Sequence, residues 1–265
     1  MNPIHPKLNP TLATLCGSVA LLSACGGNPD PAPAPPPAAT TVTGVAATGA
    51  PLAGAAVTLV DADAASTNPA AATTGTDGSY SFVVDGLTPP FSLRVVYTQD
   101  GASKTLYSVL PSSTASTANT ANLTPLTDAV AVLIAPGGDP SALTAAATLA
   151  SLLSGASANA FANAVATLNS VLASDPTIAA ALAAAAGTGN TFNPVTTSFA
   201  ANGAGVDKVL DQLTVTTNPA GSAAGTVTIQ NNLQAVSGGT PTPPVSITPH
   251  HHAHHRPNAD THGLW

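Results

Sequence analysis

The side chains able to do chemistry in this sequence sit near its two ends. The thiols are Cys16 and Cys25, and the imidazoles are His5, the run His250, His251, His252, His254 and His255, and His262. A thiol can form a thioether or a disulfide, and neutral imidazoles ligate zinc, nickel or copper. The histidine run therefore carries a metal-capture reading, set against a low-complexity tail in which the imidazoles are incidental. The break in composition after Gly238 favours the tail. Between the ends the acid–base repertoire is thin: there is no glutamate, and no histidine lies between residues 6 and 249. General acid–base catalysis near neutral pH lacks its usual groups there. No G-x-S-x-G elbow, P-loop or H-E-x-x-H motif occurs either. The expectation is a protein that is not an enzyme and uses no cofactor.

Cys25 ends the stretch Leu22-Ser23-Ala24-Cys25, which closes an apolar run over residues 11–24. That run has signal-peptide length and is too short to span a bilayer as a helix. The four residues closely resemble the bacterial lipobox, Leu–small–small–Cys. The resemblance implies cleavage between Ala24 and Cys25, a diacylglyceryl thioether on the Cys25 sulfur and acylation of the new amine. Three acyl chains exceed the two-signal threshold for stable membrane attachment. Cys16 would leave with the leader, so a disulfide would staple nothing in the mature chain. By analogy with Gram-negative lipoproteins, Gly26 rather than Asp after the cysteine directs the chain to the outer membrane of a bacterial cell envelope. Residues 25–40, rich in Pro and Ala, read as an extended polyproline-II tether.

Charged residues are 6% of the chain, against roughly 25% in an average soluble domain, and the net charge is −7 with five Lys plus Arg. A nucleic-acid partner would need a basic patch, and anionic lipid surfaces would need a polybasic segment. Neither is present in the sequence. The membrane is expected as a partner only through the N-terminal lipid, with an envelope protein or a glycan as a further candidate.

From residue 41 the period changes to that of short strands separated by Gly, Pro and Asp turns. TTVTGVA, AAVTLVD, SYSFVVD, FSLRVVY and KTLYSVL are the strand segments. Alternation places Tyr80, Phe82 and Val84 on one face of their strand. It places Phe91, Leu93, Val95 and Tyr97 on one face of another, with Ser92 and Arg94 opposite. The aromatics therefore read as core rather than as a sugar-stacking platform, and Tyr107 is left open. Asp61, Asp63, Asp77, Asp85 and Asp100 read as turn-capping residues, because no loop has the spacing of a calcium site.

Val42, Gly44, Gly49, Pro51, Leu52, Gly54, Ala55, Val57, Leu59, Thr76, Asp77, Gly78, Tyr80 and Phe82 together form the pattern V-x-G…G-x-P-L-x-G-A-x-V-x-L…T-D-G-x-Y-x-F. This resembles the carboxypeptidase regulatory-like domain, a small transthyretin-like β-sandwich. The resemblance covers residues 41–110 and implies an accessory, non-catalytic module.

At Thr124-Pro125 the pattern turns helical, with Thr124 as N-cap, Pro125 in the first turn and Asp128 near the positive helix end. Asp139-Pro140 and Asp175-Pro176 repeat the start signal. Stripes through Leu143 and Leu153, through Phe161, Val165, Leu168 and Leu172, and through Ile178 and Leu182 give short Ala-rich helices. A last helix carries Val206, Val209, Leu210 and Leu213, and two strand-like segments follow, over 214–217 and 226–230. The order of sandwich, Asn122-Leu123-Thr124-Pro125-Leu126-Thr127 and helices resembles that of large bacterial lipoproteins.

The expected fold class is α+β: an N-terminal antiparallel β-sandwich over 41–123, then a helical region with terminal strands over 124–235, then a disordered His-rich tail over 236–265. The expected role is a membrane-anchored, non-catalytic envelope lipoprotein that displays its sandwich for structural or protein-interaction purposes. A carbohydrate or small-ligand binding module, and metal capture through the tail, are the alternatives.

Overall fold

Alternation of apolar and small polar residues builds seven strands in the first half of the computed structural model. They are β1 (Thr41–Val45), β2 (Ala56–Val60), β3 (Ala72–Thr73), β4 (Ser79–Val83), β5 (Phe91–Gln99), β6 (Ala102–Leu110) and β7 (Ala118–Thr120). The structure describes residues 37–152, 154, 159–218, 221–232 and 243–248. The leader, most of the tether with Ala24 and Cys25, and the run His250, His251, His252, His254 and His255 all lie outside the described residues.

One sheet has the order β4-β1-β7 and the other β3-β2-β5-β6. Val42, Tyr80 and Phe82 of the first join Val57, Leu59, Phe91, Leu93, Val95, Leu106 and Leu110 of the second in one buried cluster. Tyr80 and Phe82 meet edge to face, with centroids 6.0 Å apart, a favourable aromatic geometry. Tyr97 lies half-buried at the margin of the same cluster.

Two expectations about these sheets are corrected. Antiparallel pairing fails at β1 and β7, which run parallel with Thr43 opposite Thr120. The chain returns to β1 from the second sheet in the same direction, and β7 is held by backbone bonds rather than by a hydrophobic face. Ser92 is not on a solvent face: it is buried. Helices cover that side of the second sheet, where Val109, Val60 and Tyr107 pack with Ala131, Ala135, Leu143, Leu149 and Leu152. The helices therefore bury the end of that face around Ser92, Val60 and Val109.

The covering helix α1 (Pro125–Ile134) starts from a capping box. Thr124 and Thr127 each accept the other's backbone N–H through their side-chain oxygens, which satisfies two otherwise orphaned donors. Nearly every position of α1 is buried, because Ala131 faces the sheet-side cluster while Leu126, Ala129 and Val130 face a second one. The segment after Asp139 is not one helix. A 3-10 helix (Pro140–Thr144) is followed by α2 (Ala146–Leu152), with Ala145 extended between them.

Three further helices follow: α3 (Ala160–Leu172), α4 (Pro176–Ala186) and α5 (Val206–Gln212). Asp175 caps α4 by accepting from Thr177 N and Ile178 N at 2.8 and 3.1 Å. With β9 (Val227–Asn231) and β10 (Val245–Ile247) they enclose the second core cluster, centred on Leu126, Leu168, Ile178, Val209, Val227 and Ile229. β8 (Leu213–Thr217), β9 and β10 form an antiparallel sheet of order β10-β9-β8. The expected disordered tail from 236 is thus corrected at Val245–Ile247, where Ile247 is buried against β9 and the backbone pairs with it. The fold is α+β.

Candidate functional site

A concave surface of about 560 Å³ lies on the outward face of the β4-β1-β7 sheet. Alternation creates it. Tyr80 and Phe82 point into the core, so Ser79, Ser81 and Val83 point out, and Thr43 and Val45 do the same on β1. Thr43 sits opposite Ser81 on one side and opposite Thr120 on the other. The Thr120 hydroxyl lies 3.4 Å from that of Ser198. Ser81, Thr43, Thr120 and Ser198 thus form a row across the strands, and the half-buried Phe199 ring stands beside it.

Ser198 and Phe199 reach this face because Asn122 holds their loop there. Its Oδ1 accepts from Val45 N at 3.3 Å, and its Nδ2 donates to Thr197 O at 2.8 Å. The Asn122 N–H donates to Val195 O at 2.9 Å. The loop is itself closed by Asn193, whose Oδ1 accepts from Val195 N at 2.9 Å. This loop is bonded to the chain just past the end of β7, at Asn122.

Beneath the groove, the Tyr80 hydroxyl donates to Ala121 O, and burial pushes its pKa well above the ordinary phenol value. Gly44 is required beside it. A Cβ there would sit 1.7 Å from Ala121 O, closer than any real contact.

No lining residue of the groove is charged. Asp77, at the turn before β4, accepts from the Ser79 hydroxyl at 2.6 Å and from Ser79 N at 3.0 Å. Those two bonds, the side-chain one first, hold its carboxyl below the usual range. Asp63 likewise closes its own turn, accepting from Ala65 N at 2.9 Å. Asp61 and Asp85 instead tie distant segments together, accepting from Thr88 N at 3.0 Å and from Thr40 N at 2.8 Å. Among the described residues no group of three or more His, Cys, Asp or Glu is placed to hold a metal ion.

Among the described residues, the one carboxyl strongly displaced upward lies elsewhere. Asp128, only 7% exposed, accepts from Tyr107 N at 3.0 Å and from the Thr217 hydroxyl at 3.2 Å. Burial raises its pKa to about 6, against the opposing pull of those two bonds. Its position near the positive helix end favours the charged form, and desolvation outweighs it. Tyr107, left open by the sequence, lies half-buried against the helical layer, where burial raises its pKa.

Sequence reasoning missed Asn122, Ser198 and Phe199. Asn193-Pro194 was the available sign of an ordered turn, and nothing in the spacing links it to β1. The described residues define an α+β body with an open, uncharged, hydroxyl-lined groove on one sheet. No protein-family model, no curated protein and no solved structure matches the chain. The likeness to carboxypeptidase regulatory-like domains therefore rests on its residues alone. No helix among the described residues is long and apolar enough to cross a membrane.

Proposed function

We propose that the chain is a lipid-anchored, non-catalytic lipoprotein of a bacterial cell envelope, displayed at the outer membrane. The observation that carries this reading is Leu22-Ser23-Ala24-Cys25 at the end of an apolar run, with a Pro/Ala tract directly after it. Cys25 supplies the thioether and the new amine. Three acyl chains hold the protein, and the tether keeps the body off the bilayer.

The body behind the tether is a β-sandwich carrying a helical layer. Support for the sandwich is the single apolar cluster shared by the two N-terminal sheets. Support for carboxypeptidase regulatory-like kinship is the role of its signature residues: Gly44 permits the close approach of Ala121 O, and Tyr80 and Phe82 fill the core. In this reading the body presents a weakly charged surface to an envelope protein or glycan.

The test is membrane fractionation of the native chain and of Cys25→Ser, with metabolic labelling by an alkyne fatty acid. The native chain is expected in the membrane fraction and labelled, and the variant unlabelled and released. A variant that stays with the membrane as firmly as the native chain contradicts the anchor.

A further inference from the structure

We propose that the groove on the β4-β1-β7 sheet binds a neutral, extended glycan. The assignment goes beyond the anchoring reading and stands without it, because every residue it uses belongs to the body.

The chemistry of the lining selects the ligand class. Ser81, Thr43, Thr120 and Ser198 present hydroxyls, which both donate and accept and so match the hydroxyls of a sugar. Neighbouring strands lie about 4.8 Å apart, so the row of register partners Ser81, Thr43 and Thr120 advances by roughly one strand spacing per hydroxyl. That step is comparable to one pyranose unit of an extended chain. Phe199 stands beside the row, half-buried. It offers a ring to the apolar C–H face of a sugar, in the usual mix of an apolar wall with a few placed polar groups.

Other ligand classes fit less well. No charged residue lines the groove, and a net charge of −7 repels polyanions. A purely hydrophobic ligand would strip water from four hydroxyls with nothing in return. An extended peptide joins a sheet by pairing along an open edge, but the row runs across the strands. The loop at Val195 and Thr197 is bonded to Asn122, just past the end of β7.

The full chain, purified in a detergent without a sugar head group, is titrated with chitotetraose and with cellotetraose by calorimetry. Tetragalacturonate serves as the anionic comparison. At least one of the two neutral sugars is expected to bind saturably with a Kd of about 1 mM or tighter, and the anion is not. Ser81→Ala combined with Thr120→Val removes two hydroxyls from partly exposed positions and is expected to weaken binding about tenfold, one to two hydrogen bonds' worth. Phe199→Leu keeps an apolar side chain against the helical core but loses the ring, and is expected to weaken binding several-fold. It also keeps the test decisive if the double variant does not fold.

Cys25→Ser is expected to bind like the native chain, so failure of the anchor and failure of the groove are read separately. Absence of saturable binding by both neutral sugars overturns the proposal. So does an affinity unchanged in the folded variants, or equal binding of tetragalacturonate.

Discussion

The Asp128 carboxylate accepts the backbone N–H of Tyr107 at 3.0 Å, while the hydroxyl of its neighbour Thr127 donates to Tyr107 O at 3.0 Å. Both backbone groups of Tyr107 lie on the side of β6 turned away from β5. The first turn of α1 thus closes an edge that would otherwise be open to pairing. The Thr217 hydroxyl brings β8 to the same carboxylate, so one buried side chain joins the second sheet, α1 and the C-terminal sheet.

This junction makes stability depend on pH. The Asp128 pKa is about 6 in the folded chain against an ordinary 3.8. The folded state therefore holds more protons than the unfolded one between those values, and stability falls as pH rises through that window. Two pKa units correspond to about 3 kcal/mol. Asp128→Asn keeps an acceptor for Tyr107 N and removes the buried charge. It is expected to raise stability at neutral pH by part of that amount, seen as a higher urea midpoint, and to leave the midpoint nearly unchanged near pH 4. Urea titrations of both chains across pH check this. Asp128→Ala loses the acceptor instead, and faster hydrogen exchange of the Tyr107 amide is expected.

Gly44→Ala should be among the most damaging single-methyl additions. Its Cβ would lie 1.7 Å from Ala121 O and 2.9 Å from the Tyr80 hydroxyl, so β1 and β7 must separate or the Tyr80 bond must break. A loss of about 3 kcal/mol or more is expected, above the usual range for a point change. Thermal melting with the Tyr80 near-ultraviolet signal reads both effects.

Asn122→Ala removes the acceptor of Val45 N and the donor to Thr197 O. Leaving such part-buried groups unpaired costs up to about 1–3 kcal/mol each. The loop carrying Ser198 and Phe199 should loosen before the rest of the chain. Hydrogen exchange should rise at the Val45 and Asn122 amides while those of α4 are unaffected. Uniform exchange across the molecule would contradict the local role.

Phe91→Ala and Val83→Thr separate core from surface on the two sheets. Phe91 is fully buried and Val83 is 59% exposed. The first should cost about 3–5 kcal/mol and the second under about 0.5 kcal/mol, read from chemical denaturation midpoints.

Strands β1, β2, β4, β5 and β6 were legible because each alternates apolar with small polar residues, and α1 and α4 because Thr124-Pro125 and Asp175-Pro176 mark their starts. β3, β7 and β10 were not. Ala72–Thr73, Ala118–Thr120 and Val245–Ile247 are two or three residues long and are placed by backbone pairing, which leaves no period in a single sequence. Ser92 looked solvent-facing because its strand alternates, yet the helical layer that buries it arrives from later in the chain. The groove was illegible for the same reason. Thr43, Ser81, Thr120 and Ser198 share no local spacing and meet only through strand register and the Asn122 bonds. Asp128 showed its helix position but not its burial, which depends on β6 and β8 docking around it.

The central claim is that Cys25 becomes the acylated first residue of the mature chain. Intact mass and N-terminal peptide mass of the protein isolated from its native membrane test this most directly. The account predicts a chain beginning at Cys25 that carries a diacylglyceryl thioether and an N-acyl group. A mature N-terminus at any other residue, or a Cys25 with an unmodified thiol, would contradict it.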